Sequence, residues 1–254
     1  MNLYAKPFIF EGLFFIFTTM SKSVKKRVAV LTGAGISAES GIRTFRGQGG
    51  LWENHDIMEV ASIQGWNKNP TLVQRFYNER RTSLADAKPN AGHLALKRLE
   101  NTFNVTIITQ NVDDLHERAG SSQIIHLHGE LKKVRSLRNP EIVVDWGYKP
   151  LNMEDKAPDG SPMRPHIVWF GEDVPLMETA AEAVCMADIL IVVGTSLQVY
   201  PAAGLLSIAP ASVQKFLVDP EMPNNVLFRN LTYIKATAAT GLPELVETLI
   251  QQNE

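Results

Sequence analysis

The stretch Val28-Ala-Val-Leu-Thr32 constrains the fold most, because this run of β-branched and apolar residues stops abruptly at Gly33-Ala-Gly35. A continuous apolar run without polar alternation reads as a strand buried on both faces, and the glycines as a tight turn at its carboxyl end. The arrangement recurs. Val105-Thr-Ile-Ile-Thr109 stops at Gln110-Asn111, Ile189-Leu-Ile-Val-Val193 at Gly194-Thr195-Ser196, and Lys215-Phe-Leu-Val218 at Asp219-Pro220. Helical periodicity fills the intervals, from Thr71 to Asp86, Ala91 to Asn101, Leu176 to Met186 and Leu242 to Gln252, the last with Pro243 in its first turn. Strand and helix in alternation predict an α/β fold with a doubly wound, Rossmann-like parallel sheet. Such a sheet binds ligands beyond the carboxyl ends of its strands, where all four polar or glycine clusters fall.

Two stretches break the alternation. Gly47 to Lys88 is too long for a simple crossover, and Lys132 to His166 is rich in proline, glycine and charge. The predicted organisation is an N-terminal extension (1–20), disordered or not native, followed by one catalytic domain (21–254). Within that domain, residues 21–46, 101–131 and 167–254 form the nucleotide-binding part. Insertions at 47–100 and 132–166 form a smaller domain. The apolar run Phe8 to Phe17 is interrupted by Glu11 and falls short of the roughly 20 residues a membrane helix needs. A net charge of −2 gives no global electrostatic case for nucleic acid. The single cysteine, Cys185, leaves no internal disulfide or cysteine-rich metal site, fits a reducing cytoplasm, and is expected in the core.

Three segments carry chemistry. Gly33-Ala-Gly-Ile-Ser37 leads from a strand into a helix, where free amides favour a pyrophosphate, although Gly41 falls too late for a dehydrogenase fingerprint. Gln110, Asn111 and Asp113 offer amides and a carboxylate suited to a ribose or carboxamide. They suit an Asx-turn or helix cap equally well. In Ile124-Ile-His-Leu-His-Gly129, an extended chain puts His126 and His128 on one face. A general base, a metal pair and ordinary hydrogen-bonded histidines are all open to them.

Taken in order, Gly33-Ala-Gly-Ile-Ser, Phe45-Arg46, Gly50-Leu-Trp52, Thr109-Gln-Asn-Val-Asp113, His128-Gly129, Phe170-Gly171-Glu172 and Gly194-Thr195-Ser196 resemble the signatures of the sirtuin family. The variants Gly41-Ile-Arg-Thr-Phe-Arg46 and Arg164-Pro-His-Ile-Val-Trp-Phe-Gly-Glu172 are most similar to the bacterial class that includes desuccinylases. The resemblance implies a protein-lysine deacylase that consumes NAD and releases nicotinamide and O-acyl-ADP-ribose. It implies His128 as general base, acting with Asn111 and Asp113. Gly33, Ala34, Gly35, Ser37, Arg46, Trp52, Gln110, Asn111, Asp113, Gly194, Thr195, Ser196, Asp219 and Ala238 would hold NAD. Acyl-lysine peptides would be the partners, pairing as an added strand with Val168, Phe170 and Gly171. Direct nucleic-acid or membrane binding is not expected.

Tyr77 and Arg80, three apart on a predicted helix, suit a carboxylate at the end of a succinyl or malonyl chain. Two positions depart from the family. Ser136 stands where a zinc-binding thiolate would be expected, so no structural zinc is expected. Leu217 replaces an asparagine that reaches the adenosine in many relatives. A mono-ADP-ribosyltransferase or NAD hydrolase, and a non-catalytic NAD-sensing module, are the competing readings on the same scaffold.

Overall fold

The computed structural model describes residues 25–44, 56–223 and 229–253. The chain opens with β1 (Arg27–Thr32), α1 (Gly35–Ala38), α2 (Ile57–Val60), α3 (Ile63–Lys68), α4 (Pro70–Leu84) and α5 (Ala91–Leu99). It continues through β2 (Asn104–Thr109), α6 (Leu115–Ala119), β3 (Ile124–His126), β4 (Gly129–Ser136), β5 (Val143–Asp145) and β6 (Met163–Ile167). It closes with α7 (Met177–Cys185), β7 (Ile189–Val193), α8 (Leu205–Ile208), β8 (Gln214–Val218), β9 (Leu231–Ile234) and α9 (Ala238–Gln251).

Six strands form one parallel sheet in the order β3-β2-β1-β7-β8-β9, and β5-β4-β6 form a separate antiparallel sheet. The apolar runs are continuous because both faces of the large sheet are covered. Val28 and Val30 pack with Leu96, Ile107, Ile191 and Leu242 on one face, while Ala29 and Leu31 pack with Ile108, Ala180, Val192 and Leu205 on the other. Strand order reverses between β1 and β7, which opens the crevice at their carboxyl ends. No helix among the described residues is long and apolar enough to cross a membrane.

Three expectations need correction. The last helix starts at Ala238, one turn early, so Pro243 lies inside it. Burial of Ala238, Gly241 and Leu242 extends the helix beyond the point a proline signal marks. The helix α5 belongs to the large domain, since Ala95, Leu96 and Leu99 share its core and Gly92 backs onto Ala238. The first insertion therefore ends before α5, not at residue 100. Cys185 is exposed. It ends α7 one residue past the buried stripe of Ala180 and Val184, which turns it outward, with Sγ 3.8 Å from the Ile208 carbonyl oxygen.

In the small domain, α2 to α4 pack on Leu131, Ile167 and Trp169. At the carboxyl end of β4, the Ser136 hydroxyl donates to Asp159 at 2.8 Å, and Ser161 donates to the same carboxylate at 2.7 Å. The amides of Arg138 and Asn139 bond Ser136 Oγ, so hydroxyls and a carboxylate knit this corner.

Candidate active site

The ends of β1 and β7 interlock through glycines. A Cβ added at Gly33 would lie 2.7 Å from the Gly194 carbonyl oxygen, and one at Gly35 would lie 2.6 Å from Gly194 Cα. Gly194 has φ +57°, and a side chain there would run into the Ile36 amide. The Gly33 and Gly35 amides donate to the Val193 and Gly194 carbonyls, whereas the Ala34 N–H has no acceptor among the described residues. Ala34 is thus the amide of this turn left available to an anion.

The β2 end supplies a polar floor. The Ser37 hydroxyl, fully buried, donates to Asp113 Oδ2 at 2.9 Å and accepts from Asn111 Nδ2 at 3.2 Å. Asn111 Nδ2 also reaches the Gly33 carbonyl at 3.1 Å, and Gln110 Nε2 donates to Thr195 Oγ1 at 3.1 Å. Asp113 accepts the Leu115 amide at 3.1 Å. The Asp113 carboxylate thus closes an Asx-turn onto the first residue of α6 while also facing Ser37, and the N-cap residue Asp114 makes no side-chain cap. Burial pushes the Asp113 carboxyl up to about 6, against the pull of the Leu115 amide and the Ser37 hydroxyl.

The two histidines divide the work of holding that floor. His128, half-buried between β3 and β4, donates Nδ1–H to the Gln110 carbonyl at 3.0 Å. Its Nε2 has no partner among the described residues, and burial holds the ring below its ordinary pKa. His126 donates Nδ1–H to the next carbonyl, Asn111, at 3.2 Å, and its Nε2 lies 2.6 Å from Glu117 Oε1. Burial alone would lower His126, but the Glu117 carboxylate outweighs it and raises the ring above its ordinary value. Glu117, His126 and Glu130 bring ligand-type atoms within 4.8 Å of one another, yet His126 takes Glu117, and Lys133 takes Glu130 at 2.7 Å. The cluster is accounted for as ion pairs.

On the small-domain side, Tyr77 is buried and its hydroxyl accepts from Trp169 Nε1 at 3.0 Å. Burial raises its pKa, leaving a neutral phenol. Arg80 lies over the Phe76 ring, Cζ 3.1 Å from the centroid, and NH1 donates to the Phe76 carbonyl at 2.7 Å. Its Nε is buried without a partner, and it pairs with no carboxylate among the described residues. Burial lowers it to about 10, which still leaves a cation at neutral pH.

Trp169 sits between Trp66 and Tyr77, with ring centroids 5.3 and 6.1 Å away. Around it, Val168 N–H donates to the His128 carbonyl at 3.0 Å, and Phe170 N–H to Ala61 at 2.9 Å. Phe170 is 40% exposed, and Gly171 adopts φ +89°. Glu172 fastens the stretch, accepting from Arg164 NH1 and NH2, both at 2.7 Å, and from the Trp169 amide at 2.9 Å. Arg164 and Glu172 bracket the run from Pro165 to Gly171, but their spacing of eight residues gives no sign in sequence that the two side chains meet.

At the far end, Thr195 is buried and Ser196 exposed. Asp219 is half-buried at the end of β8, its Oδ1 accepting the Glu221 amide at 3.0 Å. Leu217 points into the apolar core with Val192 and Ala202, so its side chain does not face the crevice. Ala238 is buried at the start of α9. Arg46 and Trp52 lie outside the described residues.

Comparison with known proteins extends this arrangement. Residues 33–201 match the model of the Sir2 family, from the first glycine turn past the end of β7. A protein of Helicobacter pylori strain J99 named NAD-dependent protein deacylase is 53% identical over 226 residues, covering 89% of this chain and 96% of that one. One of the same name from Bacteroides thetaiotaomicron is 51% identical over 232 residues, covering 89% and 98%. Among solved structures, a Sir2 homologue in complex with NAD superposes with a TM-score of 0.80 at 37% identity, covering 91% of each chain. A Sir2 homologue bound to ADP-ribose superposes with a TM-score of 0.83 at 36% identity, covering 90% and 93%. A family model over most of the sequence and relatives more than half identical along nearly their whole length agree, and the chain belongs to the Sir2 family.

Proposed function

We propose that this chain is an NAD-dependent protein-lysine deacylase of the cytoplasm. NAD supplies the ADP-ribosyl group that accepts the acyl chain as nicotinamide leaves. The observation that carries the reading is the His128–Gln110 bond. With Nδ1–H committed to a carbonyl, the lone pair resides on Nε2, and burial keeps that imidazole neutral and ready to take a proton.

The residues around it divide into three groups. Ala34, with Gly33 and Gly35 shaping its turn, meets the pyrophosphate, and Gln110, Asn111, Asp113 and Ser37 hold the nicotinamide side. Thr195, Ser196, Asp219 and Ala238 bound the adenosine end. Val168, Phe170 and Gly171 receive the acyl-lysine peptide as an added strand. The donor set suits NAD: an open amide at a helix start for phosphate, and side-chain amides and a carboxylate for ribose hydroxyls.

Arg80 and Tyr77 direct the acyl preference toward succinyl and malonyl groups. A partly buried guanidinium with no carboxylate partner among the described residues suits a terminal carboxylate, with a neutral phenol beside it. The test incubates the protein with NAD and succinyl, acetyl or unmodified peptide, following peptide mass and nicotinamide. NAD-dependent acyl loss supports the deacylase. Mass gain by ADP-ribose would point to transfer, peptide-independent nicotinamide release to hydrolysis, and absence of turnover to a binding module.

A further inference from the structure

Beneath the polar floor lie two buried imidazoles that no role above uses. His93 and His116 are 0% and 1% exposed, with ring centroids 5.0 Å apart. His93 accepts the Asn90 amide on Nδ1 as part of the α5 capping box, and its Nε2 lies 3.5 Å from Ser37 Oγ, at the limit of a hydrogen bond. His116 makes the firmer contact, Nε2 to Thr32 Oγ1 at 3.2 Å.

The direction of that bond follows from proton counting. Thr32 spends its one hydroxyl proton on Thr109 Oγ1, 2.9 Å away, so toward His116 it can only accept. The His116 proton is therefore on Nε2. Its Nδ1 is a bare lone pair, buried without a partner. Burial, with His93 and His126 nearby, keeps this ring from taking a second proton. Thr109 Oγ1 in turn accepts the Asn111 amide at 3.0 Å. An unbroken chain runs from one neutral imidazole through two strand-end hydroxyls to the backbone of Asn111. That peptide places the Asn111 side chain against Gly33 and Ser37, and it adjoins the Gln110 carbonyl that orients His128.

We propose that His116 is a positioning residue for deacylation, its Nε2–H setting the Thr32 and Thr109 hydroxyls so that Asn111 and the Gln110 carbonyl are held in place for NAD and His128. The proposal rests on the NAD-pocket reading above. It is tested with three variants in steady-state kinetics. His116→Gln puts an amide nitrogen close to the Nε2 position, His116→Asn puts one near Nδ1, where it does not reach Thr32, and His116→Leu supplies no donor.

The Gln variant is expected to keep kcat/KM for NAD within about three-fold of wild type, while Asn and Leu lose about ten-fold or more, the cost of one hydrogen bond. The loss should appear in kcat and in KM for NAD, with KM for the acyl peptide within about two-fold. A Gln variant no better than Asn, through lost turnover or lost folding, overturns the proposal, as does an equal rise in both KM values. If Leu does not fold, the Gln and Asn pair decides alone. Wild-type protein without NAD-dependent acyl loss strikes the functional reading itself, whereas an active wild type with Gln and Asn alike strikes only the role of His116.

Discussion

The imidazole of His128 and the carbonyl of Gln110 are joined by a 3.0 Å hydrogen bond that decides which nitrogen is basic. Replacement by Asn keeps a hydrogen bond to that carbonyl within reach but removes the base. His128→Asn should therefore lower kcat by about a hundred-fold or more, with NAD affinity by calorimetry within about three-fold. Since burial holds His128 below its ordinary value, the neutral base predominates at pH 7, and activity should fall on the acid side of neutrality as the ring takes a proton. An activity limb centred above pH 7 would count against the assignment.

Arg80 has an orphaned Nε and no carboxylate of its own among the described residues. Arg80→Met should lower kcat/KM for a succinyl peptide by about a hundred-fold, the scale of a lost charge-assisted pair, and change the acetyl peptide by no more than about three-fold. Equal losses on both peptides would remove Arg80 from acyl selection. Because the cation is partly buried without a counter-charge, the variant should melt no earlier than wild type.

Asp113 offers a separate test through stability. Its folded pKa of about 6 lies above the 3.8 of an exposed carboxyl, so the folded state favours the protonated form. The associated stability is complete below pH 3.8 and is lost as pH rises through about 6. Asp113→Asn should therefore be more stable than wild type at pH 7, by on the order of 2 to 3 kcal/mol, with the gap closing toward pH 4. The same substitution should slow NAD turnover at least ten-fold, roughly one lost charge-assisted hydrogen bond. Denaturant melts at the two pH values check the sign. A variant less stable at pH 7 than at pH 4, relative to wild type, would contradict it.

Glu172 holds the Trp169 amide and Arg164 together. Arg164 is almost wholly buried, so Glu172→Gln leaves its cation under-compensated and should destabilise the fold by about 3 kcal/mol. Loosening of residues 168–171 should raise KM for the acyl peptide about five-fold or more while KM for NAD stays near wild type. Thermal melting and two-substrate kinetics separate these effects.

The large sheet was legible because its four long strands are almost wholly β-branched or apolar, the pattern of a strand buried on both faces, and each ends in a punctuating polar or glycine cluster. The short edge strands β3 and β9 were not, since three or four residues of partial burial carry too little periodicity. Ser37, Asn111, Asp113 and His128 could be picked out singly. Their joining could not, because Ser37 and Asp113 are 76 residues apart and their hydrogen bond depends on β1 lying beside β2. His93 and His116 left no signal, as each reads as one polar residue in a helix until packing buries them together. Cys185 misled because composition says how often cysteine is buried, whereas helix rotation decides whether this one is.

The peptide unit of Phe170 is bonded on both sides to the bend between α2 and α3, N–H to Ala61 and carbonyl to Ile63. The stretch proposed to receive the acyl peptide is therefore held at Phe170 by the inserted helices, between its bonds to His128 at Val168 and to Arg164 of β6 at Glu172. A substitution at the α2–α3 bend can thus alter how that stretch is presented without touching Ser37, Asn111 or Asp113.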